Sequence, residues 1–298
     1  MRLALDVGGT KFAACRVTEE KVTAARVKRA AVTARTPRSG VWDVCSDLLR
    51  TVADGHEVTG VGIASAGPVD VDRGTVSPLN VAEWAHGFAL VDAIQQLYPR
   101  AEIRLALDGA AVALAEHRLG AGRGCANLLS VVVSTGVGGG LILDGEPVTG
   151  RTGNAGHVGH VVVSVGEDLC ACGGVGCLES VASGPAAVRW AQKHGWHGTD
   201  GHDLARSASD GDPVAVASLN RVGSALGEAF SSVAALADLD LVVVGGGFAQ
   251  AGPVMWNALH AAVSRHAGLS FARDLRVVPA ELGPTGTLTG AAIIAAGL

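Results

Sequence analysis

The stretch Gly153 to Glu179, GNAGHVGHVVVSVGEDLCACGGVGCLE, places one imidazole and three thiols in a single short segment. Cys170 and Cys172 are one residue apart, Cys177 follows five positions later, and His160 stands ten positions before Cys170. Gly173, Gly174 and Gly176 let the backbone wrap tightly around one small cation, and soft sulfur with imidazole is the donor set of zinc. A disulfide or a group of buried free thiols is the other reading of these cysteines, and the absence of a secretory layout favours the metal. Three thiolates and one imidazole fill a tetrahedron and leave no open position for an activated water. The expected zinc is therefore structural.

Outward from that segment, composition bounds the rest. A chain of 298 residues exceeds the usual size of one hydrophobic core, which predicts two domains or one duplicated one. Hydrophobic residues make up 48% but aromatics only 4%, with 42 glycines, which suits α/β layers packed from Ala, Val and Leu. A net charge of -5 without a long basic run argues against a nucleic-acid surface, and the pair Lys28 and Arg29 reads as solvated. No apolar run approaches the roughly 18 residues needed to span a bilayer, and the first residues lack a signal-peptide layout. The expected location is cytoplasmic, with Cys15, Cys45 and Cys125 as buried free thiols in a reducing compartment.

Arg2 to Val7 and Phe12 to Val17 read as two strands joined through Gly8, Gly9, Thr10 and Lys11. The glycines can bring backbone N–H groups close to a phosphate and Thr10 adds a hydroxyl, while an ordinary tight hairpin explains the same residues. Asp6, just before the turn, is placed either to orient a magnesium ion through water or to cap the turn. Leu128 to Val133, followed by Ser134-Thr135-Gly136-Val137-Gly138-Gly139-Gly140 and a strand to Leu143, repeats this arrangement. Two such cradles suggest a duplicated fold in which each half grips a nucleotide. No GxxxxGK[ST] occurs, which excludes a P-loop, and Gly245-Gly246-Gly247 lacks the GxGxxG spacing of a dinucleotide fingerprint.

Between the two cradles, Val41, Val44, Leu48, Leu49 and Val52 keep a helical spacing, and Val58 to Ala66 reads as a strand ending at Gly67. Glu102 to Leu107 reads as another strand, with Asp108 at the start of an alanine-rich helix. A carboxylate at such a junction is either a helix cap or a general base that can take up a proton. Helices are also predicted for Pro185 to Lys193 and Ala215 to Ala237, a strand for Leu239 to Val244, and a closing small-residue helix within 283–298.

The pattern GxxGHxx followed by CxCGxxGCxE resembles the zinc motif of the ROK family of sugar kinases and repressors, and the resemblance extends along nearly the whole chain. It implies an actin/hexokinase-like α/β fold of two RNase H-like domains, 1–119 and 120–298, with an interdomain cleft and a last helix at about 286–297 that packs back on the N-terminal domain. It implies ATP-dependent phosphorylation of a hexose or N-acetylhexosamine, at the C6 hydroxyl, with Asp108 as catalytic base, a structural zinc ion, and magnesium accompanying ATP. By the same resemblance Asp6, Gly8, Gly9, Thr10, Lys11, Thr135, Gly136, Gly138, Gly245 and Gly246 contact the nucleotide. Gly67, Asn80, Asp108, His157, His160 and Glu179 contact the sugar, and His160, Cys170, Cys172 and Cys177 bind zinc. The family is often dimeric or tetrameric, so a homodimer or homotetramer is expected. Its repressors carry a helix-turn-helix ahead of the first hairpin, whereas here the first strand starts at Arg2, so a non-catalytic sugar sensor is the rival reading and DNA binding is not expected.

Two positions depart from the pattern. Leu107 stands where an asparagine usually precedes the base, and is expected to remove an amide from the sugar site. His157 stands where most members carry glutamate and resembles the His-x-Gly-His of bacterial N-acetylmannosamine kinases. The pair favours an N-acetylhexosamine, N-acetylmannosamine first, whose acetyl methyl would lie on Leu107, over glucose.

Overall fold

The computed structural model describes residues 1–17 and 22–297. They form two compact units. One comprises Met1–Arg123, Glu146–Gly156 and Leu282–Leu298, the other Gly124–Gly145 and His157–Glu281.

The first unit is built on β1 (Arg2–Val7), β2 (Lys11–Val17), β3 (Val32–Arg35), β4 (Gly60–Ser65) and β7 (Glu102–Leu107), in the order β3-β2-β1-β4-β7. β1 pairs antiparallel with β2 and parallel with β4, and β4 pairs parallel with β7. Both faces of this sheet are covered, which explains why its strands read as nearly continuous apolar runs. Side chains alternate across it by size. Leu3, Leu5, Val7, Phe12, Val61 and Ile63 pack into one core with Leu48 and Leu49 of α2 (Val41–Ala53) and with Leu90 and Ile94 of α3 (Leu90–Leu97). Ala4, Ala13 and Ala64 on the other face pack against Ala111 and Ala115 of α4 (Asp108–Leu119). The short helix α1 (Ala24–Ala30) and the two-residue strands β5 (Val69–Asp70) and β6 (Thr75–Val76) complete this part of the chain. Lys28 and Arg29 are exposed on α1, in keeping with a solvated face.

The second unit repeats the antiparallel-then-parallel scheme. β8 (Leu128–Val133) pairs antiparallel with β9 (Val137–Leu143) and parallel with β11 (Leu241–Gly245), which pairs parallel with β12 (Arg276–Pro279). The intervening β10 (Glu146–Pro147) opens the segment of the first unit in which the Asn154 side chain both accepts from and donates to the backbone of Val69. The core of the second unit joins β8 and β11 to α5 (Leu178–Ala182), α6 (Gly184–Lys193), α7 (Gly201–Ser209), α8 (Pro213–Ala237) and α9 (Pro253–His266). α8 and α9 cross at glycine, where a Cβ on Gly223 or Gly227 would strike the α9 backbone at Met255 or Leu259.

The last helix, α10 (Gly286–Ala296), belongs to the first unit, where Leu288, Ala291, Ala292 and Ala295 share a core with Ala4, Ala64 and Ala111. It approaches so closely that a Cβ on Gly62 would collide with the Ala291 carbonyl and one on Gly290 with the Ala111 carbonyl. The small residues on that face of β1, β2 and β4 are thus what allows a helix to lie on the sheet. Among the described residues, no helix is long and apolar enough to cross a membrane.

Candidate active site

In the first unit, the expected residues gather at the carboxyl ends of the parallel strands, where open α/β sheets bind ligands. Asp6 is the penultimate residue of β1, Gly67 follows β4, and Asp108 follows β7. The hairpin turn is closed by the Gly8 N–H donating to the Lys11 carbonyl at 3.1 Å, and the Thr36 hydroxyl donates to the Gly8 carbonyl at 2.8 Å. Gly9 is approached by Asn80, whose carboxamide would have to shift to admit a Cβ there. The structure therefore brings the sugar candidate Asn80 against the first glycine hairpin, a proximity that 70 intervening residues conceal in the sequence. Thr10 and Lys11 are exposed on the same turn.

Asp6 and Asp108 are electrostatically linked. Burial, then the negative charge of Asp108, raises the Asp6 carboxyl to about 7, against a smaller opposing pull from Lys11. Burial likewise raises Asp108 to about 6, although its Oδ1 accepts the Gly109 N–H at 2.7 Å, which acts the other way. A carboxyl near 6 is poised to take up and release a proton close to neutral pH. The charge repulsion that lifts Asp6 is also what a divalent cation would relieve, so this carboxylate pair suits magnesium.

Leu107 requires a correction. It is 2% exposed and packs in the core beneath the sheet with Ile63, Leu90 and Ile94, so it offers no surface to a sugar. Successive strand residues point to opposite faces of a sheet, and the face that Leu107 takes is filled by α2 and α3. The expected contact between Leu107 and an acetyl methyl falls with it.

In the second unit, the four zinc candidates converge: their ligand atoms all lie within 4.8 Å of one another. Cys170 Sγ is 3.8 Å from His160 Nδ1 and Cys172 Sγ is 3.7 Å from Cys177 Sγ. A tetrahedron with metal–sulfur bonds of about 2.3 Å has edges of about 3.8 Å, which these two separations match, so the donor set and its spacing suit a zinc ion. Gly173 and Gly176 take φ of +89° and +79°, which side chains rarely adopt. With Nδ1 turned to the thiols, the Nε2 of His160 remains for another partner. His157 lies beside it, ring centroids 5.7 Å apart, and burial, then the neighbouring imidazole, holds His157 below the usual histidine range.

Val137, the first residue of β9, joins this centre to the second hairpin. Its N–H donates to Glu179 Oε2 at 2.8 Å, and its carbonyl lies against Gly159, where a Cβ would collide. Gly136 faces the same carboxylate, since a Cβ there would come within 2.5 Å of Glu179 Oε2. Glu179 and His160 are thereby fixed to the turn that carries Thr135, Gly136 and Gly138. Sequence reasoning did not single out Val137, because its role is carried by backbone atoms alone.

Beside this hairpin lies a cavity of about 750 Å³ whose walls include Ser134, Thr135, Pro185, Thr199, Gly247 and Phe248. Phe248 packs between Gly184 and Gly201, where Cβ atoms would lie 3.4 and 3.0 Å from its ring. The expected Gly245 and Gly246 stand behind this wall rather than in it. Gly246, at φ +95°, packs on the Val133 backbone, and Gly247 is the glycine that lines the cavity. The walls contributed by α6, α7 and Phe248 carry no local motif and were not legible in the sequence.

A glycine hairpin at the head of each sheet, a carboxylate at a strand-to-helix junction and a nucleoside-sized cavity accord with the class that comparison with known proteins shows, an ATP-dependent sugar kinase of actin/hexokinase-like fold. The chain belongs to the ROK family, whose sequence model matches residues 2–297. It is 31% identical to the glucokinase of Thermotoga maritima over 98% of this chain and 96% of that protein. It is 36% identical to the N-acetylmannosamine kinase of Yersinia pseudotuberculosis over 82% of each. Among solved structures, a ROK family glucokinase from Streptomyces griseus in complex with glucose and AMPPNP superimposes with a TM-score of 0.82 at 31% identity, covering 100% of this chain and 99% of that one.

Proposed function

We propose that this kinase phosphorylates the C6 hydroxyl of a hexose or N-acetylhexosamine, with Asp108 as the general base. The carrying observation is Asp108 at the end of β7, half-buried, with its carboxyl raised to about 6 beside Asp6. Asp108 would take the hydroxyl proton as the oxygen attacks the γ-phosphorus, and the bond from that phosphorus to the bridging oxygen of ADP would break. Asp6 would hold the magnesium that accompanies ATP, which neutralises charge on the phosphates. The Gly8 N–H is engaged by the Lys11 carbonyl and the Val137 N–H by Glu179, so backbone N–H groups of Gly9 to Lys11 and of Thr135, Gly136 and Gly138 would contact phosphate oxygens. The 750 Å³ cavity beside Thr135 is large enough for adenosine.

Zinc would be held by His160, Cys170, Cys172 and Cys177 and would supply rigidity rather than chemistry. Glu179, Asn80, Gly67, His157 and the free Nε2 of His160 are the candidate sugar contacts. The two-domain division at about 119, and a homodimer or homotetramer, remain part of this reading through the family resemblance.

For the sugar itself, His157 supports N-acetylmannosamine, because a neutral imidazole both donates and accepts where glutamate only accepts. Glucose is the second reading, favoured by the near full-length similarity to a glucokinase and by the burial of Leu107, which removes one of the two arguments against it. A coupled ADP-release assay over glucose, N-acetylglucosamine, N-acetylmannosamine and mannose decides between them. A higher kcat/KM for N-acetylmannosamine that reverses in His157→Glu supports the first reading, and a preference for glucose in the wild type selects the second.

A further inference from the structure

Glu116 lies near the end of α4 and is 1% exposed, a setting in which a carboxylate needs hydrogen-bond partners. Its Oε2 accepts the Ala121 N–H at 2.9 Å, and its Oε1 accepts the Leu282 N–H at 2.9 Å. Its backbone carbonyl accepts the N–H groups of Gly120 and Gly122, each at 3.0 Å. A Cβ on Gly120 would run into Oε2, so the carboxylate can fold back over the helix end only because position 120 lacks a side chain. The peptides it grips occupy special places in the chain. The opening segment of the first unit ends at Arg123, two residues after Ala121, and its closing segment begins at Leu282.

We propose that Glu116 is a positioning residue for phosphoryl transfer: its carboxylate ties the first and the last of the four chain crossings of the first unit to the helix that begins with Asp108. The proposal rests on the reading of Asp108 as the base. The two residues are eight positions apart on one helix, about 12 Å along its axis, so the clamp and the base share a rigid element. Kinases close around their substrates before chemistry, and of the four places where the chain enters or leaves the first unit, the first and the last adjoin these two peptides. Clamped, the peptides act directly on α4. Unclamped, the movement is taken up in slack loops and Asp108 is placed less accurately.

Glu116→Gln tests this. Glutamine offers one acceptor oxygen and an NH2 group that cannot accept, so either the Ala121 or the Leu282 N–H loses its partner. The expected result is a fall in kcat of about tenfold or more, KM values for ATP and sugar within about twofold of wild type, and faster hydrogen exchange at Ala121 or Leu282. Unchanged kcat per folded molecule, with only a lower melting temperature, overturns the proposal and leaves Glu116 a purely structural residue. Should the glutamine variant not fold, Glu116→Asp takes its place, since it keeps the charge but withdraws both oxygens by about one bond length. A smaller fall confined to kcat is then expected, and an unchanged kcat overturns the proposal. Wild-type protein inactive on every sugar would instead overturn the kinase reading on which this rests.

Discussion

In the proposed role of general base Asp108 must be ionised to act, yet it and Asp6 sit where burial favours their neutral forms. Two opposite pH trends follow. The rate constant kcat/KM should fall with acidification through about 6 to 7, because the base is lost to protonation. Stability should run the other way in the unliganded protein. Both folded-state values lie above the ordinary carboxylate value of 3.8, so the stability linked to these groups is complete at low pH and is lost as pH rises through about 6 to 7. Asp6→Asn removes the larger part of that penalty, on the order of 1 kcal/mol or more. It should raise the melting temperature at pH 8 while abolishing turnover. Melting curves at pH 5 and 8 check this, and a variant less stable than wild type at pH 8 refutes it. Asp108→Asn should keep sugar and ATP binding but lose at least about 10²-fold in kcat. Binding titrations beside turnover separate the two effects, and near-wild-type turnover would remove Asp108 from the role of base.

At the level of elements, the zinc segment and the second hairpin behave as one piece through Val137. Gly136→Ala suits the backbone, whose φ is not in the left-handed region, but its methyl displaces Glu179 from the Val137 N–H. The sugar KM should rise roughly tenfold with kcat less affected, from loss of a hydrogen bond to a charged group. An unchanged KM would take Glu179 out of the sugar site. Cys172→Ser should lower a zinc content of about one per chain and weaken sugar binding together, measured by metal analysis and titration. Full sugar affinity in a metal-free protein would contradict this.

These two elements also mark the limit of legibility. The four candidate zinc ligands fall within one segment, so spacing alone brought them together, and both hairpins were visible as glycine turns between apolar strands. Asn80 beside Gly9, Phe248 between Gly184 and Gly201, and the shielding of Leu107 depend on which faces meet after folding. α3 escaped notice because only Leu90 and Ile94 of its eight residues are buried, too few for a periodic signal.

On the scale of the whole molecule, the buried residues divide into cores that do not mix units. Leu129 to Val277 form the core of the second unit, and the two faces of the β1–β4 sheet carry the cores of the first. The last helix decides whether the first unit can hold together, because α10 covers the alanine face of that sheet and rests on α4. At Gly290 a methyl group would collide with the Ala111 carbonyl, and backbone cannot rotate aside as a side chain can. Gly290→Ala must therefore push α10 away from α4 and loosen the packing of Ala4, Ala64 and Ala115 with it. Overpacking of this kind costs about 1–3 kcal/mol, or several degrees in melting temperature for a unit of this size. Gly268, with open space around its Cβ position and no positive φ, provides the control substitution to alanine. Two separately cored units predict two responses in calorimetry. Gly290→Ala should lower one component of the unfolding trace, zinc chelation should lower the other, and Gly268→Ala should move neither. A single transition shifted equally by Gly290→Ala and by chelation would show that the cores unfold as one and that the division does not govern stability.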